Sequence, residues 1–90
     1  MNTFDMLWCQ DLREAFTNAG YNITYDDDTF KAVHPYDITT RFMIKINKTD
    51  ILTTIPLQEN YEYISIFRDY FKVAEYILYH LKDYQNSTKL

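Results

Sequence analysis

The sequence predicts an α+β domain in which two helices flank four short strands, in the order α-ββββ-α. Apolar residues recur every three or four positions near both ends of the chain, and every second position in the middle. Short polar segments separate the central strands, which favours antiparallel pairing of neighbours. We therefore expect a single two-layer domain over residues 1–90, with a four-stranded antiparallel sheet and the N- and C-terminal helices packed on one face.

The first helix is predicted to begin at a cap formed by Asn2 or Thr3 and to end before Gly20. Asp5 lies in its first turn, where the helix dipole favours a negative charge. Gly20 stands where a left-handed residue commonly follows a helix. The apolar residues at helical spacing are Phe4, Leu7, Trp8, Leu12, Ala15, Phe16 and Ala19.

Two hairpins are predicted to follow. In the first, alternating residues 21–25 and the extended segment 30–33 flank the turn residues 26–28. Pro35 ends the first hairpin's second strand, because proline has no backbone N–H to donate. In the second, residues 41–46 form the clearest strand, and residues 51–55 pair with it. The side chains expected to face the helices are Phe42, Ile44 and Ile46.

The last helix is predicted to extend from Asn60, its cap, to Tyr84. Its apolar face comprises two neighbouring stripes at spacings of three and four residues. One stripe contains Ile64, Phe67, Phe71, Ala74, Leu78 and Leu81, and the other contains Tyr63, Ile66, Tyr70, Val73, Ile77 and Tyr84. We expect this face to form the centre of the core.

The composition excludes several classes of function. A single glycine argues against glycine-rich phosphate-binding loops, so no cofactor is expected. Cys9 is the only thiol and lies on the apolar stripe of the first helix, where an inert buried group is expected rather than a nucleophile paired with His34 or His80. No metal-ligand spacing is present. Without a secretory signal or an apolar run long enough for a membrane span, the expected location is the cytoplasm.

Charge and tyrosine content indicate a protein partner. The net charge is −4, and residues 1–37 hold seven acidic side chains against two basic ones. This excess disfavours direct nucleic-acid binding and favours a basic partner. Tyrosine beside carboxylate is a common interface composition. The candidate partner-binding residues are Tyr25, Asp26, Asp27, Asp28, Tyr36, Asp37, Tyr76 and Tyr79. The same residues also fit a solvated turn and ordinary exposed tyrosines.

The sequence thus favours a small acidic binding protein without enzymatic activity. Its size and a composition rich in residues with AT-rich codons suggest an inhibitor encoded by a phage or mobile element, acting in the host cytoplasm. It would mimic nucleic acid and occupy a basic site on a larger protein, such as a nuclease or defence effector. Anti-CRISPR proteins are similar in size and charge, although no motif is shared. The alternative is a homo-oligomer assembled through the C-terminal helix, so both monomer and homodimer remain open.

Overall fold

The computed structural model describes residues 2–56 and 62–88, except for the side chains of residues 38, 39, 87 and 88. Two turns of 3-10 helix, Thr3–Asp5 and Leu7–Cys9, precede helix α1. The regular elements are α1 (Gln10–Asn18), β1 (Asn22–Tyr25), β2 (Thr29–His34), β3 (Asp37–Ile46), β4 (Ile51–Pro56), β5 (Glu62–Phe67) and α2 (Tyr70–Thr88). None of the helices within the described residues is long and apolar enough to cross a membrane.

The strands form one antiparallel sheet in the order β1-β2-β3-β4-β5. The α+β class and the antiparallel sheet are confirmed, and both predicted hairpins are present. The predicted number of four strands is wrong, because a fifth strand follows β4 along the chain and pairs with it. The extra strand comes from the segment that was predicted to begin the long helix.

Residues 62–67 fit both a helical and an extended pattern. Their spacing continues the helical stripe of α2, but the segment is also rich in isoleucine and aromatic side chains, which favour extended backbone. Pairing with the whole of β4 decides the outcome. The predicted cap, Asn60, lies outside the described residues. Helix α2 begins at Tyr70, and the Asp69 carboxylate caps it by accepting a hydrogen bond from the Phe71 amide at 2.8 Å.

The N-terminal segment is only partly α-helical. Asn2 acts as a cap, since its side chain accepts a hydrogen bond from the Phe4 amide at 2.9 Å, but it caps a 3-10 turn. Met6 adopts an extended conformation and separates the two 3-10 turns, so the α-helix starts at Gln10. Gly20 has φ of +85°, which confirms the predicted left-handed position after the helix.

The pairing register gives the sheet two different faces. The face with the buried aromatic side chains of Phe30 and Phe42 is here called the covered face. Phe16 of α1 has its ring centroid 6.1 Å from that of Phe30 and 5.0 Å from that of Phe42. Tyr76 of α2 contacts Phe67 of β5, with ring centroids 4.9 Å apart. Side chains from both helices therefore contribute to the same core.

The predicted core positions of β3 are confirmed, whereas those of the long helix divide. Phe42 and Ile44 are fully buried, and Ile46 packs against the core. In α2, the buried residues are Val73, Ala74, Ile77 and Leu81. Five residues of the predicted apolar face are exposed instead, namely Tyr63, Ile64, Ile66, Tyr70 and Phe71. The two isoleucines lie on the opposite side of the sheet, here called the open face, and Phe71 lies in the first turn of α2.

Candidate functional site

The turn between β1 and β2, residues Asp26–Asp28, is here called the acidic turn. The Asp26 amide donates to the carbonyl of Thr29 at 3.0 Å. The Asp26 carboxylate accepts from the amides of Asp28 and Thr29 at 3.0 and 2.9 Å, and these hydrogen bonds lower the pKa of Asp26. The carboxylate of Asp26 therefore shapes the turn and stays ionised at neutral pH.

Contacts on both sides hold the acidic turn in place. The side-chain amide of Asn2 donates to the carbonyl of Asp26 at 2.8 Å. The Ile46 amide of β3 donates to the carbonyl of Asp28 at 2.7 Å. The Asp28 carboxylate accepts from the Thr29 hydroxyl at 2.9 Å, and Asp27 lies exposed at the tip. The turn is thus anchored to the N-terminal segment and to β3.

Tyr25 brings a fourth carboxylate to this end of the sheet. Its hydroxyl donates to the carboxylate of Asp5, and this hydrogen bond raises the pKa of Tyr25. The Tyr25 ring contacts the rings of Phe4 and Phe30, each with a centroid distance of 5.9 Å. The sequence placed Asp5 only in a helical turn and gave no indication of this contact, because the two residues are twenty positions apart.

Two basic side chains, Lys31 and Arg13, lie near these carboxylates but form no ion pair with them. Within residues 2–56 and 62–88, neither lysine nor arginine forms an ion pair with Asp5 or with the three aspartates of the acidic turn. Arg13 is near Asp5, but its guanidinium donates to the backbone carbonyl of Asp5 at 3.3 Å rather than to the carboxylate. This end of the molecule therefore presents a fixed acidic surface.

Tyr36 and Asp37 lie elsewhere. Tyr36 belongs to the next turn along the chain, between β2 and β3, and Asp37 is the first residue of β3. Successive turns of an antiparallel sheet lie at opposite ends. Tyr36 is 93% exposed, and its amide donates to Nδ1 of His34 at 3.2 Å. The structure therefore does not bring these two predicted site residues together with the acidic turn.

Asp37 belongs to a polar network that the sequence analysis missed. The Thr40 hydroxyl donates to the Asp37 carboxylate at 2.9 Å, which leaves its oxygen to accept from the Tyr84 hydroxyl at 2.8 Å. The network borders a cleft of about 320 Å³, also lined by Tyr21 and His34. Burial, with Tyr84 and Asp37 nearby, raises the pKa of Tyr21 to about 12. Its phenol therefore remains protonated at neutral pH.

The two tyrosines predicted on the polar face of α2 differ from each other. Tyr79 is 68% exposed and contacts His80 edge to face at a centroid distance of 5.2 Å. Tyr76 is half-buried, and its hydroxyl is 3.0 Å from that of Ser65. The expected exposure of Tyr76 is therefore wrong, because the helix meets β5 on that side.

Cys9 is fully buried, as expected from its place on the apolar stripe. Burial raises the pKa of its thiol to about 11, although Arg13 opposes this effect. A thiol with this pKa is almost entirely protonated at neutral pH and is a poor nucleophile. Among the side chains that the structure describes, no three from histidine, cysteine, aspartate and glutamate are grouped to hold a metal ion.

Comparisons of the chain with protein-family models, with curated proteins and with solved structures find no significant match. The eight candidate residues occupy three places: the acidic turn with Tyr25, the opposite end of the sheet, and α2. Of these, the acidic turn combines several carboxylates with a fixed geometry.

Proposed function

We propose that this protein is a small binding protein without enzymatic activity, which inserts its acidic turn into a basic site of a larger protein. The observation that supports this proposal is the division of roles within the turn. Asp26 uses its carboxylate to fix the backbone. Asp27 and Asp28 lie exposed, and Tyr25, the residue before the turn, holds Asp5 by a hydrogen bond.

A fixed acidic surface favours binding in two ways. Its charge steers a basic partner during encounter and raises the association rate. Its rigidity reduces the conformational entropy lost on binding, because the hydrogen bonds of Asp26 and Asp28 order the turn before contact. Direct binding to nucleic acid is disfavoured at this end, since the phosphates would meet carboxylates.

The more specific form of the proposal is mimicry of nucleic acid. In this form, the carboxylates of the turn replace phosphates in the basic groove of a nuclease or defence effector. The gene would belong to a phage or mobile element, and the protein would act in the host cytoplasm. The similarity to anti-CRISPR proteins in size and charge remains an analogy.

Assembly through the C-terminal helix is the less favoured alternative. The residues that would form such a helix pair include Val73, Ile77 and Leu81, which are already buried against the protein's own sheet. A dimer through this stripe would have to expose the core. The acidic turn, in contrast, is available without any rearrangement.

The test uses two variants with the same change in net charge. Asp27→Asn/Asp28→Asn removes the exposed charges of the turn but leaves Asp26 to hold its shape. Asp11→Asn/Asp83→Asn, at exposed helical positions, is the matched control. The wild-type protein is immobilised and exposed to lysate from the source host, and retained proteins are identified by mass spectrometry.

Association rates of the retained partner are then measured for all three proteins at low and high salt. We expect the turn variant to associate more slowly than the control at low salt, and the difference to shrink at high salt. Competition by double-stranded DNA or RNA would support mimicry. Equal association rates for the two folded variants would refute a role for the acidic turn in binding.

A further inference from the structure

A second surface, on the opposite edge of the protein from β1, has no part in the function proposed above. Strand β5 lies at the edge of the sheet, and among the described residues it pairs with β4 and with no other strand. From its exposed side chains and its self-complementary sequence, we propose that β5 pairs with β5 of a second copy of this chain. The two sheets then join into one continuous antiparallel sheet.

Within residues 2–56 and 62–88, no strand pairs with the outer edge of the β5 backbone. In the turn that joins β3 to β4, the Asn47 amide donates to the Asp50 carbonyl at 2.9 Å. This pair sets which of the following pairs in the sheet are hydrogen-bonded, because such pairs alternate along antiparallel strands. It follows that Thr53 directs its backbone toward β5, where its partner is Ser65. The Thr53 hydroxyl also donates to the Ser65 carbonyl at 3.1 Å. The amides and carbonyls of Ile64 and Ile66 therefore point outward.

The side chains at this edge are unusually apolar for a solvent-exposed strand. Ile64 is 59% exposed and Ile66 is 65% exposed, both on the open face. Tyr63, on the covered face, is 56% exposed. Natural edge strands are commonly protected by lysine, proline or a bulge. Strand β5 has none of these features, and its one charged residue, Glu62, is paired with Arg41 at 2.9 Å.

The sequence of β5 is complementary to itself in one antiparallel register. Residues directly opposite must share a face, and in every second pair both residues must direct their backbone groups toward the new partner. The register with its two-fold axis at Ser65 meets both conditions. It places Ile64 opposite Ile66, Ser65 opposite Ser65, and Tyr63 opposite Phe67 of the second copy. Apolar and aromatic cross-strand pairs of this kind stabilise antiparallel sheets.

The charges at the ends of the strand favour the same register. Arg68 follows β5 directly and is exposed. In the proposed register, it comes opposite Glu62 of the second copy, and the two-fold symmetry forms this pair twice. A shift of two residues would instead place Ile66 opposite Glu62 and replace the two Ile64–Ile66 pairs by a single Ile64–Ile64 pair. Charge and packing therefore select one register.

The other edge of the sheet is a weaker candidate. Strand β1 has four residues, and the acidic turn follows it directly. A four-residue strand offers a second copy fewer backbone hydrogen bonds and fewer side-chain pairs than the six-residue β5. The same alternation of pairs directs the backbone groups of Ile23 and Tyr25 outward at the edge of β1. Their amides therefore serve as an internal control for the experiment.

The first test is sedimentation equilibrium of the full chain from about 10 µM to about 1 mM. We expect a reversible monomer–dimer equilibrium. The variant Ile64→Lys/Ile66→Lys should raise the dissociation constant at least about tenfold, because four lysines then meet at the junction. Both positions are more than half exposed, so the variant should keep the circular dichroism spectrum of the wild type.

A third protein tests the register. In Ile64→Lys/Ile66→Glu, each new lysine of one copy lies opposite a new glutamate of the other only if the two-fold axis is at Ser65. In the register shifted by two residues, lysine meets lysine and glutamate meets Glu62. We therefore expect this variant to dimerise more tightly than the double-lysine variant. The opposite order would refute the proposed register.

Hydrogen exchange tests the same surface without substitutions. The amides of Ile64 and Ile66 should exchange rapidly in dilute protein and slow down as the concentration rises, because the second copy then accepts their hydrogen bonds. The outward amides of Ile23 and Tyr25 should exchange rapidly at every concentration. A monomer at about 1 mM would overturn the proposal. So would a dimer that is unaffected by the double-lysine variant, or one that protects β1 instead of β5.

Discussion

Strand β5 and helix α2 are adjacent in the chain and both are rich in apolar side chains, but they use these side chains differently. Helix α2 directs one stripe into the core, where Val73 and Ile77 are fully buried. Strand β5 alternates between two faces, and only its covered face meets the helix. Ile66 on the open face is therefore 65% exposed.

The same residue type therefore stabilises the fold in α2 and, in the proposed pairing of two copies, the contact between copies at β5. A buried isoleucine contributes through the apolar surface that it removes from water and through close packing. An exposed isoleucine contributes little to the fold of a single copy. It becomes important only when a second surface covers it.

The largest effect is expected for Ile77→Ala in α2. The side chain is fully buried, so its truncation should lower the free energy of unfolding by about 2–5 kcal/mol. Chemical denaturation followed by circular dichroism measures this loss. A loss below about 0.5 kcal/mol would mean that α2 is not part of the core.

A smaller effect is expected at the boundary between the two elements. Asp69 accepts the hydrogen bond of the Phe71 amide and caps α2, so Asp69→Ala should destabilise the protein by about 1 kcal/mol. Asp69→Asn is the matched control, because asparagine caps helices about as well as aspartate. Similar stability of the alanine and asparagine variants would place the start of the helix elsewhere.

The smallest effect is expected for Ile66→Ala, the same substitution as in α2 but on the open face. In dilute protein, unfolding free energy should change by less than about 0.5 kcal/mol, since most of the side chain is already in water. The same variant should weaken self-association at high concentration. Thermal or chemical unfolding at two protein concentrations separates these effects, and a large loss in dilute protein would contradict the exposed position.

Local patterns were sufficient to predict much of the fold. The alternation of Phe42, Ile44 and Ile46 predicted both the strand and its buried face, because a period of two fixes which side chains share a side. Gly20 marked the end of the first helix, since a left-handed position favours glycine. The acidic turn was predicted as a turn because aspartate side chains can bond to nearby backbone amides.

The sites were less predictable, because their contacts join residues that are distant in the sequence. Asp5 meets Tyr25, and Thr40 joins Asp37 to Tyr84, through side chains that no local pattern connects. The sequence grouped all candidate tyrosines and aspartates by composition. The sheet separates them, because successive turns lie at opposite ends.

The sequence by itself determined the α+β class, the two hairpins, the buried face of β3 and the acidic character of the β1–β2 turn. Each of these depends on residues within a few positions of one another. Only the tertiary structure decided that residues 62–67 form a strand, because their spacing fits a helix and a strand equally well. The free edge of β4 supplied the hydrogen-bonding partners that made the strand more favourable, and no local pattern records that contribution.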